Sequence, residues 1–446
     1  MSARRWLRVG LGITAVMGSG IVMAHGGRNM TCRIEVDRAV LPADTVLKAV
    51  IKVTLDAPQA PSKQERPPVN LAIVLDHSGS MSGEKIVRAQ DAAIEALRRL
   101  GPQDLFSVVI YDHEVETIVP AQRAVNTEWI ESRIREIRAR GNTALFSGVS
   151  QGAAEVRKNL EDRRYVSRII LLSDGLANVG PSAPEDLGRL GAGLLKEGIA
   201  VTTVGVGTDY NEDLMTQLSQ KSDGNAYFAE AGKDLPRIFA AELGDVLSVV
   251  AKEVSVEIEC PAGFRPVRII GREGRIRDNR VEIYLNQLYG GQQKYALVEV
   301  EVPATARDEV REIAVASCRY EDALTRKRAE ATSRATVRFS LRREEVDKSA
   351  NVIVQREIVV NRVALAKDRA IELNDAGKVK EAAEELKRES ESLREAGRRF
   401  GLDDLVEQAT ALDGQAHSLK DRKMSSAERK ALRTDSYQTR NQQAEK

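Results

Sequence analysis

The chain has 446 residues, enough for two or three domains of ordinary size, and its 42% apolar content can fill more than one core. That content excludes wholesale disorder, and three cysteines exclude a scaffold built from disulfides. Sixty-seven basic residues against 66 acidic ones leave a net charge of +1, so no overall field favours nucleic acid or an anionic membrane.

Arg4, Arg5 and Arg8 precede an apolar run over 9–24 that ends in small residues. A basic start, a short apolar middle and a small-residue exit predict a signal peptide over 1–24 and an exported protein, periplasmic or extracellular. The run is short for a membrane span, so none is expected once the signal is cleaved. Cleavage would take the net charge from +1 to −2, because three arginines leave and no acid does.

Ala49, Ile51, Val53 and Leu55 fall on one face with Lys52 and Thr54 opposite, which predicts strands within 25–66. Residues 56–70, with Pro58, Pro61, Pro67 and Pro68, read as a linker. Over 67–250 the pattern changes to unbroken apolar runs at 71–75, 105–110, 169–172 and 199–206. Such runs suit strands buried on both faces. Ile86, Ala89, Ala93 and Leu97, then Ile130, Ile134 and Ile137, follow helical spacing between them. The expected unit is a doubly wound, mostly parallel α/β sheet closed by a helix near 235–250.

Alternation returns over 251–342, for example Val254, Val256 and Ile258, then Val298, Val300 and Val302. This predicts an antiparallel β-sandwich, which the partnerless strands of 25–66 would join, so that the α/β domain is an insertion. Residues 343–413 read as helices with a stop and turn at Asn374-Asp375-Ala376-Gly377. Residues 414–446 are polar with little apolar periodicity, which predicts a disordered tail.

The chemistry concentrates in Asp76-His77-Ser78-Gly79-Ser80, directly after the first buried strand. Thr143 and Ser173-Asp174-Gly175 lie on loops that should reach the same sheet edge, where open α/β sheets bind ligands. Asp76, Ser78, Ser80, Thr143 and Asp174 are hard oxygen donors, suited to Mg²⁺, Mn²⁺ or Ca²⁺ and not to zinc or copper. Hydroxyl ligands neutralise no charge, so such an ion keeps an appetite for an outside carboxylate.

These five residues, in this order, resemble the metal-ion-dependent adhesion site of the von Willebrand factor A family. The resemblance covers roughly 68–250, and 171–175 with Asn178 and Gly180 is similar to the family's fourth-strand signature. It implies that Ser78 and Ser80 touch the ion, that Thr143 does so in at least one state, and that Asp76 and Asp174 act directly or through water. It further implies an adhesion-type module, not an enzyme, gripping an Asp or Glu of a partner protein through the cation.

The alternative is a hydrolase or phosphoryl-transfer enzyme using the same cation, with His77, Asp112 or Glu84 as the needed base. His77 is expected to face solvent or to support the ligands from behind, and Asp112 to be a supporting or a turn residue. Four histidines, no phosphate-binding Gly-x-x-x-x-Gly-Lys and no Gly-x-Ser-x-Gly elbow count against other common chemistries.

Overall fold

The two hydrophobic patterns sort into two kinds of sheet in the computed structural model, which describes residues 29–60, 66–419 and 422–443. The signal peptide expected over 1–24 lies outside these residues. Strands β1 (Thr31–Val36), β2 (Val40–Pro42) and β3 (Leu47–Asp56) open the chain. The chain then enters the α/β unit through β4 (Val69–Asp76), β5 (Leu105–Tyr111), β6 (Val115–Arg123), β7 (Val166–Ser173), β8 (Ile199–Val206) and β9 (Ala226–Ala229). The sheet order is β6-β5-β4-β7-β8-β9, parallel except for the β5–β6 hairpin.

Every residue of β4, β5, β7 and β8 is buried, which is why their sequences do not alternate. Leu71, Ile73 and Leu75 of β4 join a core beneath α1 (Glu84–Arg99), α2 (Thr127–Arg135) and, at the other side of the same layer, the closing helix near 235–246. Ala72 and Val74 face the opposite core, beneath α3 (Leu145–Arg157), α4 (Pro184–Lys196) and α5 (Glu212–Ser222). Helix α3 lies close on the sheet because position 152 is glycine: a Cβ there would meet Val74 Cγ2 at 2.5 Å. That close seat fixes the loop carrying Thr143 at the start of α3.

The closing helix α6 (Leu235–Val246) leads into β10 (Val249–Glu259), β11 (Arg265–Ile270), β12 (Arg275–Arg277), β13 (Arg280–Tyr289), β14 (Gln293–Val302), β15 (Val310–Asp322) and β16 (Arg328–Ser340). One antiparallel sheet runs β1-β3-β14-β11, and the other, antiparallel except for the short β16–β2 pair, runs β12-β13-β10-β15-β16-β2. Strand β3 pairs with β14 along its whole length, from Leu47 opposite Val302 to Asp56 opposite Gln293. The chain thus leaves a sandwich after β3 and returns to it at β10, with the α/β unit between. Ile51, Val53 and Val298 pack inward against Val256, Ile258 and Phe339. Cys32, Cys260 and Cys318 are buried and free.

Helices α7 (Arg343–Lys348), α8 (Val352–Asp375), α9 (Val379–Phe400), α10 (Asp403–Ser418) and α11 (Ser426–Arg440) follow. Val354 and Ile358 of α8 dock on Val50 and Leu297 of the four-stranded sheet. The expectation of disorder over 414–446 is corrected here: α10 continues to Ser418, and Ser425 with Glu428 forms a capping box that starts α11. Leu432 packs into the helical core, but most of the contacts that hold α11 are charged: Lys430 donates to Glu212 Oε2 at 2.6 Å and Arg433 to Asp213 Oδ1 at 2.8 Å. The Tyr437 hydroxyl donates to the Gly224 carbonyl at 2.6 Å, and Gln438 to the Ala226 carbonyl at 3.0 Å. The last helix thereby covers the open edge of β9. No described helix is long and apolar enough to cross a membrane.

Candidate metal centre at the carboxyl edge of the parallel sheet

Strand β4 ends at Asp76, whose carboxylate is wholly buried. Its Oδ1 accepts from the Ser78 amide at 2.8 Å, and its Oδ2 from the Ser173 hydroxyl at 2.7 Å. The first bond curls the loop tightly, and the second ties β4 to the end of β7. Burial pushes the Asp76 carboxyl above its usual range, with the charge of Asp174 adding to the push; the bonds from Ser78 and Ser173 oppose it.

The curl carries the chain into a single turn, 79–81, and presents two hydroxyls side by side, Ser78 Oγ and Ser80 Oγ, 3.1 Å apart. Ser80 donates to Asp174 Oδ1 at 2.7 Å, while Lys85, in the first turn of α1, pairs with Asp174 Oδ2. Thr143 arrives from the third loop, which is pinned on both sides. The Gly79 amide donates to the Gly141 carbonyl at 3.1 Å, and the Thr143 amide to Asn178 Oδ1 at 2.8 Å.

Gly175 shows where these groups converge. A Cβ there would lie 3.1 Å from Thr143 Oγ1, 3.3 Å from Ser80 Oγ and 3.7 Å from Ser78 Oγ. Three hydroxyls from two loops therefore face Gly175 of the remaining loop around one small space, with Asp76 and Asp174 buried behind it and exposed Ser80 and Leu176 at its mouth. All five residues singled out in the sequence come together. Their donor set, hydroxyl and carboxylate oxygens without sulfur or imidazole, fits a hard divalent cation.

His77 does not face solvent. It is buried, and its Nδ1 lies 2.9 Å from the Arg138 carbonyl, because alternation along the loop turns it away from the hydroxyls. Asp112 is a turn residue: Oδ1 accepts from the Glu114 amide at 2.7 Å, and Oδ2 forms an ion pair with Arg140 Nε at 3.0 Å. Asp112, His113 and Glu114 also cluster closely enough to offer three metal ligands, although Arg140 already supplies a positive charge there. Sequence reasoning missed Lys85 and the part played by Gly175. Lys85 looks like any solvated lysine of an amphipathic helix, and only the loop register brings it to Asp174.

A doubly wound domain with an oxygen-lined site at its carboxyl edge, set within a sandwich, defines the class of this molecule. Residues 70–241 match the model of the von Willebrand factor type A domain, and the inserted unit is a domain of that family. An uncharacterised Synechocystis protein is 33% identical over 174 residues, 39% of this chain and 40% of that protein. Human inter-alpha-trypsin inhibitor heavy chain H4 is 28% identical over 206 residues, 44% of this chain and 22% of the heavy chain. The chain thus spans well under half the length of these curated relatives. Among solved structures, a von Willebrand factor type A protein from Catenulispora acidiphila superposes with a TM-score of 0.69 at 15% identity, covering 89% of this chain and 97% of that one. The ArnB paralog VWA2 from Sulfolobus acidocaldarius gives 0.60 at 17% identity, covering 91% and 99%. At such identities these two likenesses concern the fold, and they extend beyond the inserted domain to the sandwich and helices.

Proposed function

We propose that Asp76, Ser78, Ser80, Thr143 and Asp174 hold a divalent cation, Mg²⁺ or else Mn²⁺ or Ca²⁺. We infer that the domain is a binding module that takes an Asp or Glu side chain of a partner protein at this site. The observation that carries the reading is the convergence of three hydroxyls on one point beside Gly175. A cation there supplies an unneutralised positive position for a carboxylate oxygen. The chain's own part is to fix the donors: Ser173 and the Ser78 amide orient Asp76, Asn178 sets the height of the Thr143 loop, and Ser80 bridges the hydroxyls to Asp174.

The enzymatic alternative has less support. Hydrolysis at this cation needs a free base beside it. His77 is turned to the Arg138 carbonyl, Asp112 is engaged by Arg140 and Glu114, and Glu84 is exposed and paired with Arg88. Export to the periplasm or cell exterior is supported by the basic-then-apolar pattern of residues 4–24.

The test is capture of partners from the host's envelope and secreted fractions with Mg²⁺, with EDTA, and with the Ser78→Ala/Ser80→Ala variant. Partners retained in Mg²⁺ and lost equally in the other two conditions support the reading. Equal retention in all three contradicts it, and metal-dependent turnover lost on changing Asp112 would favour the enzyme.

A further inference from the structure

Lys85 stands in the first turn of α1, where a cation meets the positive end of the helix dipole, so the helix gives no reason for a lysine there. The reason lies across the site. The ammonium pairs with Asp174 Oδ2, and the stem passes Gly207 after β8, where a Cβ would lie 3.6 Å from Lys85 Nζ. Asp174 is fully buried, whereas Lys85 is 30% exposed at the mouth. Both oxygens of Asp174 are therefore committed inside the protein, one to Ser80 and the other to Lys85. Among the described residues Lys85 makes no other ion pair.

We propose that Lys85 is a counter-cation built into the site. It lowers the affinity of the bare site for a divalent cation and raises the affinity of the loaded site for an external carboxylate. The inference rests on the cation reading above and names what tunes it. With Lys85 in place, Asp174 is neutralised before any ion arrives, so only Asp76 offsets the ion's charge at close range. An ion that is less neutralised by its own ligands attracts an anionic oxygen more strongly. Lys85 also adds its own positive charge at the mouth, beside the path of an incoming carboxylate. The two affinities are thus tied together with opposite signs.

A purely structural lysine would change both affinities in the same direction or neither, and the experiment separates these cases. MnCl₂ is titrated calorimetrically into the full chain as wild type, Lys85→Gln, Lys85→Arg and Ser78→Ala/Ser80→Ala. Acetate is then titrated into the Mn²⁺-loaded proteins, with water-proton relaxation as the signal. Glutamine keeps a donor for Asp174 without the charge, so the fold is retained; circular dichroism and the thermal midpoint check this. Lys85→Gln should bind Mn²⁺ about tenfold more tightly and acetate about tenfold more weakly, while Lys85→Arg stays within about threefold of wild type on both. A folded Lys85→Gln protein with unchanged or weaker Mn²⁺ binding, or with unchanged acetate binding, overturns the proposal. If wild type takes up no Mn²⁺ beyond that of the double serine variant, the cation reading itself fails and this inference falls with it.

Discussion

Replacing Arg168 with methionine should cost about 3–5 kcal/mol of stability, although the residue is remote from the hydroxyl cluster. Arg168 and Glu242 have no exposed surface, and their charged groups lie 3.5 Å apart. The guanidinium, on β7, donates to Gln287 Oε1 at 2.9 Å and to the Tyr289 hydroxyl at 2.7 Å, both on β13 of the sandwich. The carboxylate, on α6, accepts from Thr202 at 2.5 Å, Asn225 at 2.8 Å and Tyr227 at 3.1 Å. This charge pair is therefore a buried part of the polar seam between the inserted domain and its host, which Arg163 with Glu253 and Glu321 extends at the surface. Arg168→Met would leave Glu242 as a buried, uncompensated charge and strip Gln287 and Tyr289 of their donor. Glu242→Gln retains an acceptor for Thr202, and the double variant Arg168→Met/Glu242→Gln leaves no charge behind. Its loss should fall short of the sum of the single losses. Urea unfolding followed by far-UV circular dichroism and by the fluorescence of Trp129, on α2, reads each value. A loss under about 1 kcal/mol for Arg168→Met, or strict additivity in the double variant, would refute this account of the seam.

Three further outcomes follow from the geometry. Gly175→Ala places a methyl group among the three hydroxyls, so Mn²⁺ affinity should fall about tenfold or more while the unfolding free energy changes by less than about 1 kcal/mol; calorimetry and urea unfolding check the two halves. Burial pushes the Lys294 ammonium from the usual 10.5 down to about 7, with Arg272 adding repulsion and Asp223 and Asp245 offsetting it. Because the folded-state value is the lower one, the unfolded chain holds the extra proton between those limits, and stability should rise with pH from about 7 towards 10.5. That rise is at most about 1.4 kcal/mol per pH unit, and Lys294→Met should remove this component from urea unfolding compared at pH 7 and pH 9. Arg429→Ala/Lys430→Met should strand the buried Glu212 carboxylate, which both residues now pair with, and release α11. Limited proteolysis should then cut near residues 420–425 much faster than in wild type, and an unchanged rate would contradict the role given to these charges.

The parallel sheet was legible because β4, β5, β7 and β8 are buried on both faces and so read as unbroken apolar runs. The five oxygen donors were legible because strand ends fix which loops share an edge. Lys85 was not, since its partner stands 89 positions away and its own helix face reads as ordinary surface. That His77 turns away from the hydroxyls was legible from alternation, but of its two expected places the solvent-facing one is excluded, because the loop turns the ring inward to a backbone carbonyl that no sequence pattern marks. Helix α11 was missed because apolar periodicity was the signal sought, and this helix is held by ion pairs to Glu212, Asp213, Asp368 and Asp375. Ser425 followed by Glu428 was the available local sign of its start.

The central claim concerns where a divalent cation sits. Crystals of the full chain grown with MnCl₂ and measured at the manganese absorption edge would place the ion by its anomalous scattering. The account predicts one strong peak bonded to the Ser78 and Ser80 hydroxyls, beside Gly175, that disappears in the Ser78→Ala/Ser80→Ala variant. A peak at Asp112, His113 and Glu114 instead, or a peak beside Gly175 that survives the double substitution, would contradict it.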